Sequence, residues 1–302
     1  MSTLKPEVGV VIPTYNRAPL LGEALQSVLA QTLPPAQLIV VDDGSTDETR
    51  EVVAHVKEQA AGNPEIIFLE GPHENRRGLA RNRGAAATGT PLIAFLDSDD
   101  LWEPARLERQ LEAWDNDPQA GFAFCNVQYF NNTGLVGVPC LPAKRDFSGH
   151  ILGDILEEPR AVSSTLILKR EVFERLGGFR DIRMNEDYEL TLRLAAEYRA
   201  SYVPEVLVLM REHEDRTSRR GRELPLLDSL TIIQDFLAGH PDMPRSMRRK
   251  GTASLANMHY KLARMYTEWG DARSARSHLR KSLRLRPWDR RALASLFRLP
   301  GY

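Results

Sequence analysis

The sequence predicts an α/β domain built on a mostly parallel sheet flanked by helices, followed by a purely helical region. Three observations predict it. Short Val- and Ile-rich runs alternate with amphipathic stretches through the first third of the chain, and such alternation folds through right-handed crossovers into a parallel sheet. Two of these runs end in acids: Gln37-Leu38-Ile39-Val40-Val41 runs into Asp42-Asp43, and Pro91-Leu92-Ile93-Ala94-Phe95-Leu96 into Asp97-Ser98-Asp99-Asp100. Acids at the carboxyl ends of strands in one open sheet share a ligand crevice. Beyond about Leu224 the strand signal stops and only helical patterning remains.

Taken in order, Val8–Ile12, Gln37–Val41, Ile66–Glu70 and Leu92–Leu96 read as strands. Leu20–Ala30, Asp47–Gln59, Gly78–Ala87 and Pro104–Trp114 read as helices, the last begun by a proline in its first turn. Ser45 and Glu48 stand at capping-box spacing and predict a helix start just after the Asp42-Asp43 strand end. Gly121–Gln128 and Ser164–Leu168 are expected strands, separated by the turn-rich Asn131–Gly149. A short helix over Lys169–Leu176 closes at Gly177-Gly178, Glu186–Tyr198 is another helix, and Val206–Met210 is the last strand. The expected division is a catalytic domain over 1–222 and a basic helical region over 223–302. Within the latter, Ala253–Asp289 carries Leu262-Ala263, Tyr266, Trp269-Gly270-Asp271, Ala275, Leu283 and Pro287. This pattern resembles one tetratricopeptide-type helix–turn–helix unit, which needs a neighbour to cover its apolar face.

A chain of 302 residues, 42% apolar and 27% charged, is an ordinary soluble globular composition. Cys125 and Cys140 lack partners at metal-ligand spacing, so a reducing, cytoplasmic setting is expected. The first residues hold no apolar signal core, and no apolar run approaches the roughly 20 residues of a membrane span. The net charge of −1 conceals a division: residues 245–302 carry 15 Lys and Arg against three acids (Glu268, Asp271, Asp289), whereas 1–244 carry 25 basic and 38 acidic side chains. Such a segment suits an anionic partner, the inner face of an anionic membrane among them, or the acidic domain itself, the alternative being a solvated basic helical face. Its helix pair is expected to pack on the main domain or on a second copy of the chain. Nucleic acid is not expected, because the basic residues are not interleaved with a stacking platform.

Three carboxylates within four residues, at Asp97, Asp99 and Asp100, repel one another unless a cation lies between them, and hard oxygen donors favour Mn²⁺ or Mg²⁺. Neither G-x-G-x-x-G nor G-x-x-x-x-G-K-[ST] occurs. Val11-Ile12-Pro13-Thr14-Tyr15-Asn16-Arg17, Val41-Asp42-Asp43-Gly44-Ser45, Phe95–Asp100 and Asn185-Glu186-Asp187-Tyr188 follow one another as an ordered set. With Gly78-Leu79-Ala80-Arg81-Asn82-Arg83-Gly84 and Gly177-Gly178-Phe179, the set resembles the family 2 glycosyltransferases, inverting enzymes of the GT-A fold, over roughly residues 6–218.

The resemblance implies a nucleotide-sugar donor, most simply a UDP-sugar, and a saccharide, lipid-linked or protein acceptor. It implies a nucleotide pocket of Pro13, Thr14, Tyr15, Arg17, Asp42, Asp43, Arg76, Arg81, Asp97 and Ser98. In it Asp43 reads the uracil N–H, the Tyr15 ring packs on the base, and Arg76, or else Arg81, meets a base carbonyl or the diphosphate. Asp99 is the implied metal ligand, Asp97 reaches ribose or the metal, and His213 the metal or diphosphate; Arg211, Arg216 and Ser218 are further phosphate contacts. Asp187 is the implied general base, with Glu186 tuning it; an unperturbed Asp, with a pKa near ~3.9, is ionised at neutral pH. Trp102 borders the acceptor pocket or packs in the core, and Ser164 meets sugar hydroxyls or begins a strand. A non-catalytic scaffold acting through the basic helices is the alternative.

Overall fold

The computed structural model describes residues 7–142, 144–212 and 223–299. They fall into two compact units, one drawn from 7–151 and 160–212, the other from 152–159 and 223–299.

The first unit is a sheet with helices on its faces. β1 (Val8–Thr14), β2 (Gln37–Asp42), β3 (Glu65–Glu70) and β4 (Leu92–Phe95) run parallel in the spatial order β3-β2-β1-β4. α1 (Ala18–Leu29), α2 (Thr49–Ala60) and α3 (Arg77–Ala87) make the crossovers. Being covered on both sides, these strands are apolar without alternation: every residue of β1 is buried. Val10, Ile12, Leu38 and Val40 share one core with Leu21, Leu25 and Val28 of α1, each such side chain contributing about 1.5–3 kcal/mol by leaving water. Beyond β4 the sheet turns mixed: β8 (Ile167–Lys169) pairs antiparallel to β4, β6 (Ala120–Asn131) antiparallel to β8, and β9 (Arg199–Arg211) parallel to β6. Short β5 (Leu101–Trp102) and β7 (Gly134–Val136) attach to β9 and β6, and α4 (Arg106–Asp115), α6 (Arg170–Arg175) and α7 (Glu186–Glu197) complete the unit.

Three local expectations change. The helix after β2 starts at Thr49 without a Ser45–Glu48 box: the Ser45 hydroxyl turns back to Asp42, and Asp47 Oδ1 accepts the Thr49 N–H instead (3.2 Å). Ser163–Thr165 is a 3₁₀ turn, and the strand begins only at Ile167. β9 starts at Arg199, before the expected Val206, because the strand continues past Pro204 through shifts of register opposite Cys125 and Asn126; a proline within a strand is tolerated at such an irregularity.

The second unit is helical: α5 (Leu152–Glu157), α8 (Glu223–Gly239), α9 (Arg245–Glu268), α10 (Ala272–Leu285) and α11 (Arg290–Arg298). α9 and α10 form a hairpin through Trp269-Gly270-Asp271, where the Asp271 carboxylate caps α10 by accepting the Ser274 N–H at 3.0 Å. Ala263 and Ala275, both buried, let the two helices approach, and Leu279, Ala292 and Leu296 extend that core to α11. α5, a single amphipathic turn and a half inside the turn-rich stretch, packs on α9; it is too short for its periodicity to stand out in the sequence. Among the described residues no helix is long and apolar enough to cross a membrane.

Candidate active site

The carboxyl ends of β1, β2 and β4 bring the acidic motifs together, and α3 ties them to α7. α3 can do so because Gly84 lets it lie against the sheet: a Cβ there would stand 2.3 Å from Val11 Cγ1 and 2.9 Å from Val41 Cγ2. Asn82 fixes the other side of α3, its amide bonding both the carbonyl (2.8 Å) and the N–H (2.9 Å) of Phe179. Gly178, at φ +68°, makes room for that amide. The glycine-rich motif of α3 and the Gly177-Gly178-Phe179 turn are thus one joint, and its product is the position of Arg81.

Arg81 is 1% exposed. Its guanidinium donates to Asp97 at the end of β4 and, at 2.7 Å, to Glu186 Oε1 in the first turn of α7. Burial would lower the pKa of Arg81, but the charges of Asp97 and Glu186 override it and raise it. Burial would likewise raise Asp97, but Arg81, with Arg77 and Arg17 beyond it, brings that carboxyl below its ordinary value. Arg81 therefore holds two acids from distant parts of the chain. It is a positioning residue here: both terminal nitrogens are engaged by acids and the side chain is buried, so the contact expected of it with a base or a diphosphate is not open in this structure.

Asp187 follows Glu186 and is only partly covered. Its Oδ1 accepts its neighbour's N–H from Tyr188 (2.8 Å) and its Oδ2 that of Ser163 (3.4 Å). Burial, reinforced by the charge of Glu186 and opposed by Arg81 and Arg77, pushes its carboxyl up to about 6. The residue is thus tuned, with Glu186 contributing in the sense expected of it, and lies near the value that suits a base working at neutral pH.

Asp97, Asp99 and Asp100 offer carboxylate oxygens all within 4.8 Å of one another. Asp99 receives the Arg17 guanidinium. Asp100 accepts from Ser164 Oγ (2.7 Å) and from the Arg211 N–H (3.2 Å); burial, then the charges of Asp97 and Asp99, raise it well above the usual carboxylate range. The donor set suits a hard divalent cation, with Asp97 and Asp99 the better ligands and Asp100 favoured in its protonated form.

Ser164 and Trp102 belong to the support of this turn. Ser164 is buried, its hydroxyl engaged by Asp100 and the Asp97 N–H (3.1 Å), so it is not open to a sugar. Trp102, 4% exposed, donates its indole N–H to the Ser164 carbonyl (3.0 Å) beneath the guanidinium of Arg106. Of its two readings, core packing is the one observed. Arg211 donates to the Asp99 carbonyl (3.1 Å) and pairs with Glu23 (2.6 Å). His213, Arg216 and Ser218 lie outside the described residues.

On the nucleotide side, Asp42 accepts from the Ser45 N–H and hydroxyl. Asp43 gathers the loop after β3: its Oδ1 accepts from Glu74 N (3.1 Å) and its Oδ2 from Asn75 N (3.0 Å), while His73 Nδ1 lies at hydrogen-bond distance from the Asp43 carbonyl (3.1 Å) and 2.9 Å from Oδ2. The His73 ring lies 3.8 Å from that of Tyr15, nearly parallel to it. His73 is the one member of this cluster that sequence reasoning passed over, although a histidine at the carboxyl end of the third parallel strand was a legible signal. Arg76 pairs with Asp181 at 3.1 Å on the surface. Pro13, Thr14 and Ser98 are buried at the strand ends. The Thr14 hydroxyl and Glu186 Oε2 are buried there without a hydrogen-bond partner.

The model of the glycosyl transferase family 2 matches residues 9–177. The chain belongs to that family. The matched segment contains the α3 motif with Arg81 and the acidic turn, while Gly178, Phe179 and the Glu186-Asp187 pair lie beyond it. Among curated members, an uncharacterized glycosyltransferase of Nostoc sp. strain PCC 7120 is 39% identical over 115 residues, 38% of this chain and 35% of its own. The chain thus spans about a third of that relative's length in the match. The UDP-Glc:alpha-D-GlcNAc-diphosphoundecaprenol beta-1,3-glucosyltransferase WfgD of Escherichia coli is 31% identical over 137 residues, 45% of this chain and 52% of that one. Among solved structures, the mannosyltransferase PcManGT from Pyrobaculum calidifontis in complex with GDP-Man and Mn²⁺ superposes with a TM-score of 0.62 at 23% identity, covering 98% of this chain and 79% of the other. That likeness shows the GT-A type of fold.

Proposed function

We propose that the enzyme transfers a sugar from a UDP-sugar to an acceptor hydroxyl with inversion at the anomeric carbon. The observation that carries the reading is the Arg81 bridge, which holds the donor-side acid Asp97 and the base-bearing turn Glu186-Asp187 on one buried guanidinium. Inversion needs those two functions fixed on opposite sides of a reacting sugar. Asp187 takes the proton from the acceptor hydroxyl as its oxygen attacks, while Glu186 raises the basicity of Asp187 by its charge. Tyr15 and Asp43 bind and read the base, and Arg17, which is exposed, and Arg76, which is half-buried, would turn from Asp99 and Asp181 to the phosphates. Asp99 and Asp97 would hold Mn²⁺ or Mg²⁺, which offsets the charge growing on the departing diphosphate. The Mn²⁺ complex of the Pyrobaculum mannosyltransferase supports a metal. Its GDP-Man and the UDP-Glc of the Escherichia coli relative leave the base to experiment.

The acceptor we infer is lipid-linked, as for that relative, with the enzyme working at the inner face of a membrane in the cytoplasm. The basic helical unit favours it, and the same feature is what a purely scaffolding protein would use.

Calorimetric titration of UDP, GDP, dTDP and CDP, each with Mn²⁺ and with EDTA, tests the site. Metal-dependent selection of UDP is expected, and Asp99→Ala should abolish the Mn²⁺ dependence. Selection of GDP would overturn the role given to Asp43; no binding by folded protein would favour the scaffold.

A further inference from the structure

The helical unit carries a groove of about 1030 Å³ lined by five cationic side chains and one carboxylate, Glu157. Arg245 and Arg249 stand one turn apart on α9, followed on the same stripe by Asn257, and Arg286 enters from the end of α10. Two neighbouring cations are committed to the fold: Lys250 pairs with Glu157 of α5 at 3.0 Å, and Arg248 donates to the carbonyls of His240 (2.8 Å) and Pro241 (2.9 Å). The side chains of Arg245, Arg249 and Arg286 make no hydrogen bond or ion pair with any described residue. Three guanidinium groups around one groove repel one another, and among the described residues the one carboxylate of the groove, Glu157, is taken by Lys250.

The chain leaves the groove at Arg286 and presents Trp288, 89% exposed. α11 then buries Ala292 and Leu296 and turns Arg290, Ala294, Phe297 and Arg298 outward as one face. An exposed indole and a phenyl ring set among arginines are the chemistry of an amphipathic element lying in a membrane interface. A second copy docking through this same face would instead bring like charges together.

We propose that this groove and the adjoining Trp288–Arg298 face form a docking surface for an anionic phospholipid bilayer. Arg245, Arg249 and Arg286 receive headgroup phosphates, and Trp288 and Phe297 enter the headgroup layer. The inference gives residues to the membrane-held acceptor proposed above and rests on that reading only for its purpose.

Co-sedimentation of the full chain with vesicles tests it, using an equal mixture of phosphatidylglycerol and phosphatidylcholine against phosphatidylcholine alone. Binding is expected to the anionic vesicles only, and to weaken with salt. Arg249→Gln with Arg286→Gln should lower the partition roughly 30-fold, about fivefold for each charge removed. Trp288→Phe should remove most of a vesicle-induced blue shift in tryptophan emission without touching the groove. Equal binding to neutral vesicles, or an unchanged partition for the double variant, would overturn the proposal. So would inorganic pyrophosphate binding that the double variant loses while vesicles go unbound, since the groove would then serve a soluble phosphate. A dimer that the double variant dissolves, again without vesicle binding, would hand the surface to a second copy. Titration of UDP with Mn²⁺ into the wild-type protein reads the catalytic proposal separately: nucleotide binding without vesicle binding sinks only the docking surface.

Discussion

The crevice at the strand ends and the groove on the helical unit treat charge in opposite ways. In the crevice, acids and arginines are matched inside the protein: Asp97 and Glu186 share Arg81, Asp99 meets Arg17, and Asp43 is encircled by three donors. In the groove Arg245, Arg249 and Arg286 line one space, and its carboxylate, Glu157, pairs with Lys250 and with none of the three among the described residues. A buried, matched network is preorganised: it fixes a few atoms where a small substrate reacts, and the fold depends on it. Unmatched charge at a surface contributes little to folding and acts through what it attracts. The two regions should therefore fail differently when their charges are removed.

The largest effect is expected at the base. Asp187→Asn should lower transfer by about a thousandfold, within the range a general base supplies, with UDP affinity unchanged because the residue serves the acceptor. Single-turnover rates beside calorimetric affinities measure both. Lost affinity with normal turnover would move Asp187 to the nucleotide side and break the matched-pair account of the crevice.

Next comes the bridge. Arg81→Ala leaves Asp97 and Glu186 without their shared cation in a buried setting, and losing one partner of such a network costs about 3–5 kcal/mol. Denaturant unfolding should show that loss, and Arg81→Lys should recover part of it, since a single ammonium cannot fork to two acids. A loss within experimental error would mean that the two acids are solvated enough to stand alone.

The pH profile is the subtler reading of the same network. Burial and Glu186 place Asp187 above the ordinary carboxylate value, at about 6. The ionised base is therefore fully present above that pH and is lost as pH falls through it. Below about pH 6, kcat/KM should drop tenfold per unit, where an unperturbed Asp would hold its activity to about pH 4. Glu186→Gln removes the neighbouring charge and should shift the acid limb downward. A limb that stays in place would remove Glu186 as a cause and leave burial, with the smaller contribution of the Asp97 charge.

How much of this was legible follows the same contrast. The crevice could be read because strand ends, turn residues and acids fall in fixed order, and a parallel sheet leaves one place for them to meet. Its inner support could not. Ser164 and Trp102 are residue types that suit a sugar site, and only the packing shows their polar atoms facing the acidic turn. Arg81 looked like a phosphate ligand because the motif names an arginine but not the two acids that enclose it. In the helical unit, the excess of basic residues was plain in the sequence. Which of them stay unmatched was not, since Lys250 is matched by Glu157 on α5, a helix of six residues that patterning does not reveal.

The smallest expected effect closes the contrast. Arg249→Gln with Arg286→Gln removes two cations that bond to nothing described, so global stability should stay within about 0.5 kcal/mol of wild type, as for surface changes away from caps and networks. Any shift should be toward greater stability at low salt, because like charges on one groove repel and salt already screens that repulsion. Denaturant unfolding at two ionic strengths decides it. A destabilisation approaching that of Arg81→Ala would show that the groove's arginines are held by the fold after all, and the division between a matched interior and an unmatched surface would fall.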